Sequence, residues 1–487
     1  MPIPFDNTYA RLPESFHARV DPTPVSSPEW IALNRNLAEE LGIDLARLDS
    51  EEGLAVLSGN LVPEGAEPLA AAYSGHQFGG FSPVLGDGRA LLLGEVIDQD
   101  GRHRDIQLKG SGPTPFSRRG DGRSALGPVL REYLVSEAMH ALGVPTTRAL
   151  AAVWSGDKVY REEVEPGGVF TRVASSHLRI GTCEFFASRG DLESLGTLVA
   201  YALRRHYPKR ADAEKPALAL LEGVMERQAL LVARWMGLGF IHGVMNTDNM
   251  SLSGETIDYG PCAFLDRYDP AKKFSYIDRH GRYAYGNQPN IAHWNLARLA
   301  EALLPLIDPE ETAAIALATS TLERFPGLFQ EAWDAVFADK TGFPKPSETS
   351  RNLAVRLLEL MAEEGADFTL TFRQLRDAGG RENEILPSGF FNLDGARIWL
   401  GEWRNTLAAI GITPEEATAR MRSSNPVFIP RNHRIEAIIT AAKEHDFEPF
   451  HEFHRVLARP YEEQPESAGF ESPPLPHEEV PATFCGT

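Results

Sequence analysis

The chain has 487 residues, room for about three domain-sized units. With 43% hydrophobic and 24% charged residues it has the composition of an ordinary soluble globular protein. A formal net charge of −20 speaks against a nucleic-acid-binding surface, because neutralising phosphates takes clustered Lys and Arg.

No apolar run reaches the length of a membrane span. The best candidate, Ala217 to Leu221, is cut by Glu222, Glu226 and Arg227. The start, Met1-Pro2-Ile3-Pro4-Phe5-Asp6, lacks the basic and apolar regions of a signal peptide. Cys183, Cys262 and Cys485 are too widely spaced for a disulfide framework or a zinc pattern. A reducing cytoplasm is the expected compartment.

Residues 1 to about 65 open with irregular, Pro-rich sequence. Ser27 then reads as the N-cap of a helix with Pro28 at its first position. Ile31, Leu33, Leu37 and Leu41 would form its apolar stripe, and Gly42 would end it. Next comes Tyr73-Ser74-Gly75-His76-Gln77-Phe78-Gly79-Gly80, then Gly86-Asp87-Gly88-Arg89 before a strand-like run, Leu91 to Val96. A Gly-x-Gly turn can bring backbone N–H groups to a phosphate, and it can equally be a plain turn.

Asp105-Ile106-Gln107-Leu108-Lys109 alternates, so Ile106 and Leu108 face one side and Lys109 the other. The loop that follows, Ser111 to Arg123, is rich in Gly and basic residues, and loops of that length are usually functional or disordered. Gly127 to Leu142 reads as a helix with Pro128 in its first turn and Gly143 after its end. It carries Glu132 and Glu137, which point about 140° apart, so only one can face Lys109. Ala149 to Val153 and Val169 to Val173 read as strands flanking an acidic turn. Arg172 lies in the second, and Arg179 follows it. Two arginines beside a nucleotide cleft can grip phosphates with forked hydrogen bonds, or they can be surface ion-pair partners.

Pro216 to Leu238 reads as a long amphipathic helix. It leads into His242-Gly243-Val244-Met245-Asn246-Thr247-Asp248-Asn249 and then Asp258-Tyr259-Gly260. Between them, apolar Met250 and Leu252 alternate and Gly254 marks a turn, which predicts a short hairpin with Asn249 on one arm and Asp258 at the end of the other. An Asn and an Asp so placed are oxygen ligands suited to Mg²⁺. The layout resembles the protein-kinase catalytic loop and its Asp-Phe-Gly motif, with one departure: the kinase catalytic Asp falls on Val244, which cannot accept a proton. Asp248 is the nearby carboxylate able to substitute. Beyond Gly260, helices are expected from Ala292 to Leu304, from an Asp308 cap onward, and over most of 310 to 455. The last 30 residues or so are rich in Glu and Pro and read as extended or disordered.

Taken in order, the Gly86-Asp87-Gly88-Arg89 turn, Lys109 with its Gly110 to Arg123 tail, Arg172, Arg179, His242 to Asn249, Asp258-Tyr259-Gly260 and Tyr285-Gly286-Asn287-Gln288-Pro289 resemble the selenoprotein O family. The similarity runs from about residue 5 onward. It implies an α+β, protein-kinase-like two-lobe fold. An N-terminal extension would cover 1–65, the smaller lobe 66–165 and the larger lobe 166–308 with the catalytic and metal motifs. A helical extension would cover 309–455, and a flexible tail with Cys485 would cover 456–487.

The resemblance also implies a protein adenylyltransferase. ATP would bind flipped relative to a kinase, AMP would move to Ser, Thr or Tyr hydroxyls of proteins, and pyrophosphate would leave. By resemblance Gly86, Gly88, Arg89, Lys109, Asp121, Gly122, Arg172, Arg179 and Asp258 meet ATP. Asn249 and Asp258 hold Mg²⁺ or Mn²⁺, Asp248 is the base, and Glu132 pairs with Lys109. The expected partners are ATP and protein substrates, with no nucleic acid, no membrane and a monomeric chain. Cys485 matches the family's Cys or selenocysteine near the C-terminus and suggests redox control, with Cys262 as a candidate partner. Two other readings stay open: a phosphotransferase using Asp248, and a nucleotide-binding pseudokinase scaffold. Val244 favours the scaffold, and the retained pair Asn249 and Asp258 argues against it.

Overall fold

Strand β6 (Ala90–Ile97) forms because Leu91, Leu92, Leu93 and Val96 are apolar on both faces, and both faces are covered. In the computed structural model, which describes residues 3–378 and 390–483, β6 lies within the main sheet. The sheet runs β1 (His17–Arg19), β3 (Leu69–Ala71), β6, β7 (His103–Lys109), β10 (Val164–Ala174), β9 (Arg148–Tyr160) and β2 (Glu29–Leu33). A short β8 (Ser124–Ala125) joins β10, and the pairings are antiparallel. Two ribbons stand apart: β4 (Gly75–Gln77) with β5 (Gly80–Ser82), and β11 (Phe240–Ile241) with β12 (Ala263–Phe264). With the helices below, this is an α+β chain.

Register decides which side chains share a face. Ile106 and Leu108 of β7 are fully buried on one side, against short helices of the N-terminal 60 residues and Val25. Gln107 and Lys109 point the other way. Gln107 pairs across to Arg172 of β10, so Arg172 joins Lys109 on that side. The helix Leu126–Ala141 covers it, nearly all its residues buried, and Gly143 ends it in the left-handed conformation at φ 78°. The back of that helix packs on Asn432–Lys443 and Glu448–Leu457 near the other end of the chain, with Tyr133 edge-on to Phe450.

The helix Pro216–Leu238 forms as expected and ends at Gly239 with φ 70°. It packs against Gln288–Ile307 and Phe325–Lys340. Further helices fill most of 311–457. Several of them close a second core around stacked Trp399 and Trp403. Among the described residues no helix is long and apolar enough to cross a membrane.

The structure corrects four local expectations. The single helix expected from Ser27 divides: Glu29–Leu33 is strand β2, and the helix is Arg35–Glu40, capped by Asn34. The free edge of β9 offers Trp30 and Leu33 ladder partners, and Asn34 Oδ1 accepts the Leu37 N–H at 3.0 Å. The hairpin between Asn249 and Asp258 does not form. Met250 and Leu252 bond instead to Ile180 and Leu178, while Thr256 bonds to Pro145 and Thr147, so the two arms diverge. Asp308 does not cap the next helix; Glu310 caps Glu311–Leu322, and Asp308 pairs with Lys215 at 2.7 Å. The Glu/Pro-rich end is tied down as far as described. A turn of helix covers Pro465–Phe470, and Thr483 bonds to the backbone of Phe274, Tyr276 and Pro261. Cys485 lies outside the described residues.

Candidate active site

A cavity of about 950 Å³ opens where the Lys109 side of the sheet meets the segment from Val244 to Pro261. Gly86, Gly88, Arg89, Lys109, Asp121, Gly122, Arg172, Arg179, Asp248, Asn249 and Asp258 all line it. Glu132 stands behind Lys109, with its Oε2 2.5 Å from Nζ. Glu137, on another side of the same helix, instead grips Arg148 at 2.9 Å.

Asp258 is the centre of the charge. Its Oδ1 accepts from Arg172 at 2.7 Å and faces Lys109 at 3.4 Å, and its Oδ2 accepts from Arg179 at 2.5 Å. Arg172 also donates to Glu132 at 3.1 Å and to Gln107 Oε1 at 2.6 Å. Both arginines are buried, at 1% and 2% exposure, which removes them from the surface ion-pair reading. Burial by itself would raise the Asp258 pKa, but Arg179, Arg172 and Lys109 outweigh it and hold the carboxyl well below its ordinary value. Asp258 sits at φ 65°, a left-handed conformation uncommon for a residue with a side chain.

Within this cluster three cations, Lys109, Arg172 and Arg179, meet two carboxylates, Asp258 and Glu132, an excess of one positive charge. Packed cations of this kind suit a polyphosphate, whose oxygens can take over the arginines' forked donors.

Asp248 and Asn249 lie on a turn of helix, Thr247–Asn249. Asp248 is 7% exposed, and burial pushes its carboxyl up to about 6. A carboxyl so tuned can exchange a proton near neutral pH. Asn249 donates its amide hydrogen to Val244 O at 2.9 Å, which leaves its carbonyl oxygen for a ligand. The oxygens of Asn249 and Asp258 are hard donors of the type Mg²⁺ takes. Among the described residues no group of three or more His, Cys, Asp or Glu could hold a metal. His242 does no chemistry here: it is buried and donates Nε2–H to Ile257 O at 2.8 Å, tying this loop to the residue before Asp258. Burial lowers its pKa and keeps it neutral.

The Gly86–Arg89 turn is closed by the loop after Lys109. Thr114 Oγ1 donates to Asp87 O at 2.6 Å, and Ser117 Oγ donates to Gly88 O. A Cβ on Gly86 would meet the Phe116 ring at 2.3 Å, and one on Gly122 would meet Gly112 O at 2.0 Å. The N–H groups of Gly86 and Asp87 are taken by Tyr73 O and Ala71 O, the bonding of a plain turn. Asp121 accepts from Arg161 at 2.9 and 3.0 Å, and that pairing lowers its pKa. It orders this loop at the cavity rim.

Sequence reasoning passed over Gln107, Tyr73 and Gln77. Gln107 was findable, two residues before Lys109 on the same strand face. Tyr73 lies with its ring centroid 4.9 Å from the Arg179 guanidinium, and Gln77 bonds to Asp248. Their partners are over 100 residues away, and no spacing rule reaches that far.

A cavity with buried cations, a carboxyl raised by burial and hard oxygen donors has the chemistry that a phosphate ester calls for. Comparison with known proteins makes the class specific. The model of the family described as protein adenylyltransferase SelO matches residues 1–458, and the chain belongs to that family. The chain is similar to the protein nucleotidyltransferase YdiU of Agrobacterium fabrum, 59% identical over 484 residues, covering 99% of each chain. It is also similar to that of Methylorubrum populi, 60% identical over 494 residues, covering 100% of this chain and 99% of the relative. That of Rhizobium etli is 58% identical over 486 residues, covering 99% and 97%. The chain is a nucleotidyltransferase by class.

Proposed function

We propose that the cavity binds ATP and moves its AMP group to a Ser, Thr or Tyr hydroxyl of a protein. The observation that carries this reading is the cluster of Lys109, Arg172 and Arg179 around Asp258, in the cavity that Asp248 also lines. The acceptor oxygen attacks the α-phosphorus, Asp248 takes its proton, and the bond to the β-phosphate bridging oxygen breaks. Pyrophosphate leaves with the developing negative charge. Lys109 and the two arginines stand where that charge needs neutralising, and removing one such group typically costs about 3 kcal/mol of barrier.

Asp258 and Asn249 would hold Mg²⁺ or Mn²⁺, which when bound neutralises phosphate charge and orients the leaving group. Phosphates taking over the arginines free Asp258 for that role. Glu132 keeps the Lys109 ammonium aimed at the nucleotide. On this reading the sheet and the Leu126–Ala141 helix form the smaller lobe of a kinase-like fold, the helices from Ile180 to Ile307 form the larger one, and those from Glu311 onward form the C-terminal extension. On the same reading the enzyme works as a monomer on cytoplasmic proteins.

The test is parallel incubation with α-³²P- and γ-³²P-labelled ATP and a protein acceptor. Label on protein from the α position alone is expected, with pyrophosphate as co-product. Label from the γ position would make the enzyme a phosphotransferase, and label from neither would favour the scaffold that Val244 suggests.

A further inference from the structure

We propose that Gln77, on the β4–β5 ribbon, is a positioning residue that fixes the Asp248 carboxylate for proton transfer. The proposal rests on Asp248 being the base. Gln77 Nε2 donates to Asp248 Oδ2 at 3.0 Å. A carboxylate only accepts, so the amide nitrogen is the group facing it. Asp248 Oδ1 is buried and has no hydrogen-bond partner among the described residues. One oxygen is thus tethered by Gln77 and the other enclosed, in a side chain that lines the cavity. Oδ1 packs against Gly75, so Oδ2, the oxygen that Gln77 holds, is the one able to turn a remaining lone pair toward an incoming hydroxyl.

The ribbon is built to hold this arrangement. Gly75 faces Asp248 so closely that a Cβ there would lie 2.6 Å from Oδ1. His76 N–H donates to Thr247 Oγ1 at 2.7 Å, and Phe78 N–H donates to Asn246 Oδ1 at 3.0 Å. Thr247 donates in turn to Glu184 at 2.5 Å, and Glu184 also meets His76 Nδ1 at 2.5 Å. The ribbon is therefore clamped to the two residues before Asp248. Gln77 is the member whose side chain reaches the carboxylate itself. Without it, Oδ2 loses the bond that sets its direction, and the carboxylate can tilt away from the reactive place. Misplacing a reacting group by about 1 Å can cost on the order of 100-fold in rate.

The experiment compares Gln77→Leu and Gln77→Met with wild type and with Asp248→Ala, each as the full chain with Mg-ATP and a protein acceptor. Turnover, KM for ATP, ATP affinity by calorimetry and melting temperature are measured. The expected result is a fall in kcat of about 10- to 100-fold in both Gln77 variants, with KM and ATP affinity within about twofold. Loss of ATP affinity in step with kcat, or wild-type kcat in either folded variant, overturns the positioning role. Wild-type kcat in Asp248→Ala would instead remove the base on which the proposal stands, and the parallel arm reads that separately.

Discussion

Arg179 joins the two halves of the site: one guanidinium nitrogen, Nη1, donates both to Asp258 Oδ2 and to the backbone carbonyl of Asp248, each at 2.5 Å. The side chain that fixes the metal-type carboxylate also fixes the backbone of the proposed base. A lysine has neither the reach nor the planar fork to make both bonds.

Arg179→Lys should therefore lose activity out of proportion to its conserved charge, by about 100-fold in kcat/KM, the scale of one preorganised donor. The same change at Arg172 should cost the bonds to Gln107 and Glu132 as well, and lower the melting temperature. Steady-state AMP transfer and thermal melts on the two variants check this. Wild-type turnover in both would exclude the arginines from phosphate binding.

Asp258→Ala should abolish transfer and also destabilise the protein, by roughly 3 kcal/mol, because it leaves Arg172 and Arg179 buried with one counter-charge fewer. ATP should then restore melting temperature more in the variant than in wild type, since its phosphates replace the missing anion. Differential scanning fluorimetry with and without ATP decides this. An equal ATP-dependent shift in both proteins would show that the nucleotide does not meet these cations.

The depressed Asp258 carboxyl gives an acid limb to stability. A group whose folded pKa is lowered contributes stability that is present above its ordinary value of 3.8 and is lost as pH falls through the lower folded value. Urea unfolding from pH 5 downward should show wild type losing its margin over Asp258→Asn. A margin that stays constant down to pH 2 would contradict the paired carboxylate.

How much of this was legible beforehand follows from the range of each interaction. The alternation at Asp105 to Lys109 and the apolar run at Leu91 to Val96 are local signals, and both strands form. The Asn249 and Asp258 motif was legible as a pair of oxygen donors, but not as the hub of an ion cluster. Arg172 lies 86 residues from Asp258, and only the β7–β10 register places it beside Lys109. The expected hairpin failed for a related reason. Met250 and Leu252 alternate as a strand should, but the partner that uses them is the backbone of Leu178 and Ile180. Periodicity reports that a segment is half-buried and extended; it does not say which edge it meets.

Asp248 should show a trade between stability and function. Burial raises its pKa from 3.8 to about 6, so the folded protein binds a proton more tightly than the unfolded chain and loses stability as pH rises between those values. At pH 7 the ionised side chain costs on the order of 1–3 kcal/mol. Asp248→Asn removes that cost, and should melt higher than wild type while losing transfer. In wild type, turnover should climb through about pH 6 as the base ionises. A variant that melts no higher at pH 7, with a rate profile flat from pH 5 to 8, would show that Asp248 carries neither the strain nor the proton.

The clasp at Thr483 bears on the expected redox control. Thr483 Oγ1 donates to Pro261 O at 2.6 Å, on the residue before Cys262. Cys262 is buried, with its Sγ 3.2 Å from Tyr259 O. The two residues from Thr483 to Cys485 can span at most about 7 Å, so a Cys262–Cys485 disulfide is within the chain's reach from this anchor. Closing so long a loop would add about 4–5 kcal/mol in the chain-entropy picture. The expected outcome is a Cys262–Cys485 cross-linked peptide in non-reducing mass spectrometry of oxidised protein, and a higher melting temperature than in the reduced form. Oxidation should slow transfer to proteins while ATP affinity holds, because the disulfide would stand beside Pro261, which lines the cavity, and leaves Lys109, Arg172 and Arg179 untouched. Thr483→Val should weaken the anchor and slow disulfide formation. If no cross-linked peptide forms, and Cys485→Ala responds to oxidant as wild type does, the two cysteines do not form a switch.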